Sequence, residues 1–182
     1  NVITKIRRSV SNLNQMFESL LDVSKLDAFT FQADNEPFRL RSLAASLEEL
    51  GAPLATAQDI QFDVHLEGDP WVVGDEKLLR QVLQNLITNA IYYTAKGRVD
   101  VRFLVREGHL LVDVVDTGCG IGTQDLSLIF TEFYRVSETR SRHDGLGLGL
   151  SIVKRLSDLI DARIEVESSV GQGSVFRVVT SY

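Results

Sequence analysis

The sequence holds one cysteine (Cys119), one tryptophan, one methionine and three prolines in 182 residues. A single cysteine excludes an internal disulfide and a cysteine-rich zinc site. No apolar run approaches the roughly 18 residues that a membrane-spanning helix needs, and the first residues do not have the pattern of a secretory signal. An excess of positive charge is missing too. The 19 Lys and Arg against 25 Asp and Glu leave a net charge of −6, which argues against a nucleic-acid-binding domain. What remains is 44% hydrophobic and 24% charged, ordinary for a soluble globular chain with one substantial core and room for a small appendage. A cytoplasmic setting is expected. Because the chain begins in mid-pattern at Asn1, it is also expected to be part of something longer.

Ile3, Ile6, Val10, Leu13, Phe17 and Leu20 are spaced three and four apart. This a/d seam predicts either a bundle helix with a partner or a helix packed on its own domain. The seam fades at Ser24 and Asp27. The expected division is a helix over 1–28, a linker over 29–36 and a domain over 37–182. Pro37-Phe38 closes the linker, and Leu40, Leu43, Leu47, Leu50 and Leu54 mark an amphipathic helix. Ile60, Phe62, Val64 and Leu66 alternate as a half-buried strand, and Trp71 to Val73 is a short one. Asp75 to Tyr93 reads as the most apolar helix, with Leu79, Val82, Leu83, Leu86, Ile87 and Ala90 on a wide face. Val99 to Val105 and Leu110 to Val115 form a hairpin across Arg106-Glu107-Gly108. Leu148, Ile152, Leu156, Leu159 and Ile160 predict a third helix, and Ile164 to Glu167 pairs with Val175 to Val179. The sum is an α+β domain of three helices and about five strands, most simply a two-layer sandwich.

Chemistry concentrates in two places. On the Asp75 to Tyr93 helix, Gln81, Asn85, Asn89 and Tyr92 share a stripe beside the apolar face. Asn85 and Asn89 could offer two amide oxygens to a hard cation such as magnesium, or be an ordinary solvated face. Asp116 has the side-chain parity of Val112 and Val114, so its carboxylate points with the core and needs a donor. It either accepts from an adenine amine or closes a turn onto Gly118. The second place is the pair of glycine clusters, Gly118-Cys-Gly-Ile-Gly122 and Gly145-Leu-Gly-Leu-Gly149, which flank a polar lid with Arg140, Arg142 and His143. Glycines leading into a helix expose unpaired N–H groups to an anion. The second cluster is neither a Walker A loop nor a Rossmann turn, since it lacks Gly-Lys-Ser/Thr and follows a lid rather than a strand. Phe130 and Phe133, three apart, read as core residues, and the planar fork of Arg135 just beyond them suits phosphate. No histidine has a metal-ligand companion at usable spacing. Asparagine helix and glycine clusters together predict a nucleotide pocket.

The ordered phrases Gln84-Asn-Leu-Ile-Thr-Asn-Ala90, Asp116-Thr-Gly-Cys-Gly-Ile-Gly122, Phe130-Thr-Glu-Phe-Tyr-Arg135, Gly145-Leu-Gly-Leu-Gly-Leu-Ser-Ile-Val153 and Gly171-Gln-Gly-Ser-Val-Phe176 resemble the catalytic ATP-binding domain of sensor histidine kinases. The resemblance covers residues 37–182. Residues 1–27, ending Leu20-Leu-Asp-Val-Ser-Lys-Leu26, resemble the second helix of that family's dimerisation and phosphotransfer hairpin. It implies a Bergerat-type α/β sandwich with a mixed five-stranded sheet and three helices, preceded by a bundle-type helix.

By the same resemblance, Asn85 and Asn89 hold Mg2+ and the phosphates, Asp116 reads the adenine amine, and Gly118 and Gly120 admit the base. Tyr93 and Ile121 line the adenine, with Phe130 among the pocket residues. Arg135 approaches the phosphates, Gly145, Gly147, Leu148 and Gly149 wrap the triphosphate, and Ser174 backs Asp116. The implied partners are a response-regulator receiver domain and a second copy joined through the N-terminal bundle, in the cytoplasm or the cytoplasmic portion of a membrane-bound sensor.

Two departures stand out. Tyr92 replaces a common lysine, which implies weaker or differently organised ATP binding unless a lid arginine substitutes. No His-Glu-Leu-Arg-Thr-Pro-like box is present, and His65, His109 and His143 lie in a strand, a hairpin and the lid. The chain is therefore expected to bind ATP and phosphorylate a histidine outside these residues rather than itself. The rival expectation is a degenerate, non-catalytic interaction module. Topoisomerase- or chaperone-type ATPases of the same superfamily are disfavoured, because those use an acidic residue where this chain has Gln81 and Asn85.

Overall fold

Leu40, Leu43 and Leu47 fall on one face of helix α1 (Leu40–Ala57), and all three are fully buried. The computed structural model describes residues 33–136 and 147–181. The expected helix over 1–27 with its dimerising seam lies outside the described residues, as do Arg140, Arg142, His143 and Gly145.

Ahead of α1 runs strand β1 (Glu36–Arg39); after it come β2 (Gln61–Leu66), β3 (Trp71–Gly74) and helix α2 (Glu76–Tyr93). Strands β4 (Arg98–Arg106) and β5 (His109–Asp116), helix α3 (Gly149–Leu159), and β6 (Arg163–Ser169) with β7 (Gly173–Ser181) complete the order. The five-stranded sheet runs β2-β4-β5-β7-β6, parallel only between β2 and β4. This is the mixed two-layer α/β sandwich expected from the sequence. The difference is β1, which pairs antiparallel with β3 in a separate two-stranded sheet. Pro37-Phe38 thus lies inside a strand rather than closing a linker. Only Phe38 of its four residues points inward, so no alternation announces it.

The core sits between the helices and the sheet. Leu83, Leu86 and Ile87 of α2 meet Val99 and Val101 of β4 and Val112 and Val114 of β5, all essentially inaccessible. Asp75 caps α2 by accepting the Leu78 N–H at 3.0 Å, which satisfies a donor the helix cannot pair itself. With parity opposite to the core residues, Arg98, Asp100, Arg102, Asp113 and Arg177 occupy the other face of the sheet. There Arg177 grips Asp113 with two bonds, at 2.7 and 2.9 Å. That fork raises the Arg177 pKa further above its ordinary value and keeps Asp113 paired although it is nearly buried.

Candidate functional site

At the end of β5 the Asp116 carboxylate turns into the helix-covered face and is only 6% exposed. The Gly118 N–H donates to its Oδ1 at 2.8 Å, and Ser174, its neighbour on β7, adds polar groups beside it. Burial nevertheless dominates and pushes the Asp116 pKa up, with those donors opposing it. Asp116 closes a turn onto Gly118, and its carboxylate also lines a cleft.

The turn after Asp116 is pressed against the C-terminal end of α2. A Cβ on Gly118 would stand 2.4 Å from the Tyr93 carbonyl oxygen, and Cys119 N–H donates to that same oxygen at 3.2 Å. Gly120 adopts φ +67 with its α-carbon facing the β6–β7 turn, where a Cβ would meet the Ser169 carbonyl at 2.0 Å. Only glycine fits there.

These constraints shape a cleft of about 620 Å³, counted to its open mouth, between α2, the 117–136 segment and the ends of β5 and β7. Asn89, Tyr93, Asp116, Gly120, Ile121, Arg135 and Ser174, all among the candidate site residues, line it. Gly118 lies behind Asp116 rather than on the wall. Phe130 packs against the core instead of lining the cleft, and Leu148 is buried, its carbonyl accepting from Ser151 Oγ and Ile152 N–H. The expectation of two core phenylalanines fails at Phe133, which is 61% exposed at φ 62. The Phe133 N–H donates to the Gly147 carbonyl at 3.0 Å, and that bond swings the ring outward. Sequence reasoning missed Tyr134 and Leu150 on the cleft wall. The contact of Phe133 with Gly147 brings these two segments together, and no sequence pattern reports it.

Asn85 lies one turn before Asn89 on α2. Its amide nitrogen donates back to the Gln81 carbonyl at 2.9 Å, which turns Oδ1 toward α3. A Cβ on Gly149 would lie 3.4 Å from Asn85 Oδ1 and 3.4 Å from Asn89 Nδ2. The first residue of α3 thus faces both asparagines, and no described side chain caps that helix. Uncapped N–H groups and the positive end of the dipole meet two amides across a gap kept open by a missing Cβ. That combination suits anionic oxygens bridged by a hard cation, because amide oxygens are hard ligands and the helix end favours negative charge. The residues present therefore fit a magnesium-bound phosphate group. Among the described residues, no three His, Cys, Asp or Glu side chains gather into a metal-holding group.

A buried carboxylate and Asn89 on one apolar cleft, with Asn85 and the start of α3 beside Asn89, define a nucleotide-binding domain. The family of histidine kinase-, DNA gyrase B- and HSP90-like ATPases matches residues 74–181, and the chain belongs to it. It is 35% identical to the sensor protein GacS of Pseudomonas syringae over 94% of this chain and 20% of that protein. To the aerobic respiration control sensor protein ArcB of Escherichia coli K12 it is also 35% identical, over 94% of this chain and 23% of that one. Among solved structures, full-length ShkA in complex with AMPPNP superposes with a TM-score of 0.84 at 29% identity, covering 98% of this chain and 38% of ShkA. The chain spans about a fifth of the length of GacS and of ArcB.

Proposed function

We propose that this domain binds Mg-ATP and donates the γ-phosphoryl group to a histidine outside these 182 residues, for relay to an aspartate on a response-regulator receiver domain. The observation that carries the reading is a cleft lined by both Asp116 and Asn89, the latter facing Gly149 at the start of α3. Asp116 accepts from the exocyclic amine of adenine. Tyr93 and Ile121 pack on the base, and Gly120 lets it approach. Asn85 and Asn89 hold the metal, which when bound neutralises phosphate charge and fixes its geometry. The first N–H groups of α3, with Gly147, receive the phosphate oxygens, and Gly145 completes that wrap from the lid. Arg135, at the rim of the cleft, steadies the transferred group.

The domain's own work is positioning and charge neutralisation, since phosphoryl transfer needs little covalent help from protein. His65 lies on β2 beside Asp100, at 3.4 Å, and His109 opens β5, so neither is displayed on a helix as an acceptor. Relatives named as sensor kinases favour the catalytic reading over a degenerate interaction module. Dimerisation through residues 1–28 and a cytoplasmic setting complete the proposal.

The test is transfer in trans. The chain is mixed with magnesium, ATP labelled at the γ-position and a helical hairpin bearing a histidine. Acid-labile label on the hairpin, and none on this chain, is the expected result. ATP binding without any transfer to histidine would leave a binding module and reject the kinase reading.

A further inference from the structure

Register places Asp116 opposite Ser174 on β7, and Ser174 opposite Ser168 on β6. Cross-strand partners project to the same face, so one row of three side chains crosses three strands. Ser168 is not on the cleft wall. Its Oγ accepts the Ile121 N–H at 2.8 Å, stands 3.0 Å from Ser174 Oγ and lies 2.9 Å from the Gly173 carbonyl.

The count of hydrogens sets the direction of this row. A carbonyl only accepts, so Ser168 gives its one hydroxyl hydrogen to Gly173, while its oxygen accepts the Ile121 amide. The 3.0 Å contact between the two hydroxyls is then filled by the Ser174 hydrogen, so Ser174 donates to Ser168. Ser168 therefore ties the Ile121 amide, the Gly173 carbonyl and the Ser174 hydroxyl together at one side chain, next to the strand pair that carries Asp116. Bonds aligned in series polarise and strengthen one another in a partly buried setting. The groups so joined flank the two parts of the cleft wall nearest the base, Ile121 and Asp116.

We propose that Ser168 is a positioning residue for adenine recognition, holding Ile121 on the wall and Ser174 beneath Asp116 so that the carboxylate stays aimed at the exocyclic amine. This rests on the nucleotide reading above. Ser168 touches no ligand and acts through its two neighbours. Its removal strikes the reading of the base rather than the grip on phosphate.

Titration calorimetry with ATP and with a purine nucleoside triphosphate lacking the 6-amino group tests it. The ratio of the two dissociation constants measures amine recognition alone. Wild-type protein is expected to prefer ATP. Ser168→Ala and Ser168→Val shrink that preference about fivefold, the scale of one net hydrogen bond. Ser168→Thr, which keeps the hydroxyl, retains it. Thr and Val are nearly the same shape, so their comparison stands even if Ser168→Ala does not fold. Variants that keep the full preference, or that lose affinity for both triphosphates equally, would show a hydroxyl that merely ties a turn and would overturn the proposal. A wild type with no preference would defeat the adenine reading itself, a distinct failure read from the unmutated protein.

Discussion

Asp116 is an acid whose burial works against its ionisation, and this sets its pH behaviour. Its folded pKa lies above the ordinary 3.8, so the native state holds a proton more readily than the unfolded chain. Ionising it as pH rises through the raised value therefore costs stability, the reverse of a salt-bridged carboxylate. Adenine binding has the opposite need, because a protonated carboxyl no longer offers the amine two accepting oxygens. Adenine-nucleotide affinity should fall on acidification while the pH is still above 3.8, and a pH series of binding titrations would locate the step. Asp116→Asn should abolish that step and weaken ATP binding roughly ten- to a hundredfold, the range for a hydrogen bond to a charged group. The circular dichroism of this variant should be unchanged. Affinity indifferent to the substitution would remove Asp116 from the site.

Among the elements, α2 and α3 matter most, because the site lies where the side of one meets the start of the other. Gly149 begins α3 with no Cβ between its amide and the two asparagines. Alanine is a better helix former by about 1 kcal/mol, so Gly149→Ala should hold or raise stability. Its methyl would fill the gap at 3.4 Å from both amides and should lower magnesium-dependent ATP affinity. Melting and titration of the same sample would show the two moving in opposite directions; unchanged affinity would place the phosphates elsewhere.

The helices and both hairpins of the main sheet were legible in the sequence, because periods of 3.6 and 2 follow directly from one buried face. Strand β1 was not, having one inward residue and a proline. The asparagine stripe and Asp116 were legible as residues of the right kind in the right register. That Asn85 and Asn89 face Gly149 was not, since only the packing of α2 on α3 brings those distant positions together. Phe133 misled for the same reason: its outward turn depends on a hydrogen bond to Gly147 across the lid.

At the scale of the whole molecule, the described residues form a sheet covered on one face by helices and, on the other, by a lattice of charge. Arg98 and Arg102 flank the nearly buried Asp100 at 3.3 Å each, and Arg177 holds Asp113. Stability comes mainly from the covered side. Leu83 is completely inaccessible at the centre of α2 against the sheet, so Leu83→Ala should cost about 2–5 kcal/mol in urea unfolding. A loss under about 1 kcal/mol would mean that the core can collapse around the cavity. Because α2 carries both that core face and the asparagine stripe, the fold and the site share one scaffold. Helix α2 sets the spacing between Tyr93, which lines the cleft with Asp116, and the asparagines that face Gly149.

That spacing is the central claim, and a calorimetric titration of ATP with and without magnesium tests it most directly. The account predicts saturable one-to-one binding that tightens when magnesium is added. No heat of binding at millimolar ATP in either condition would contradict it.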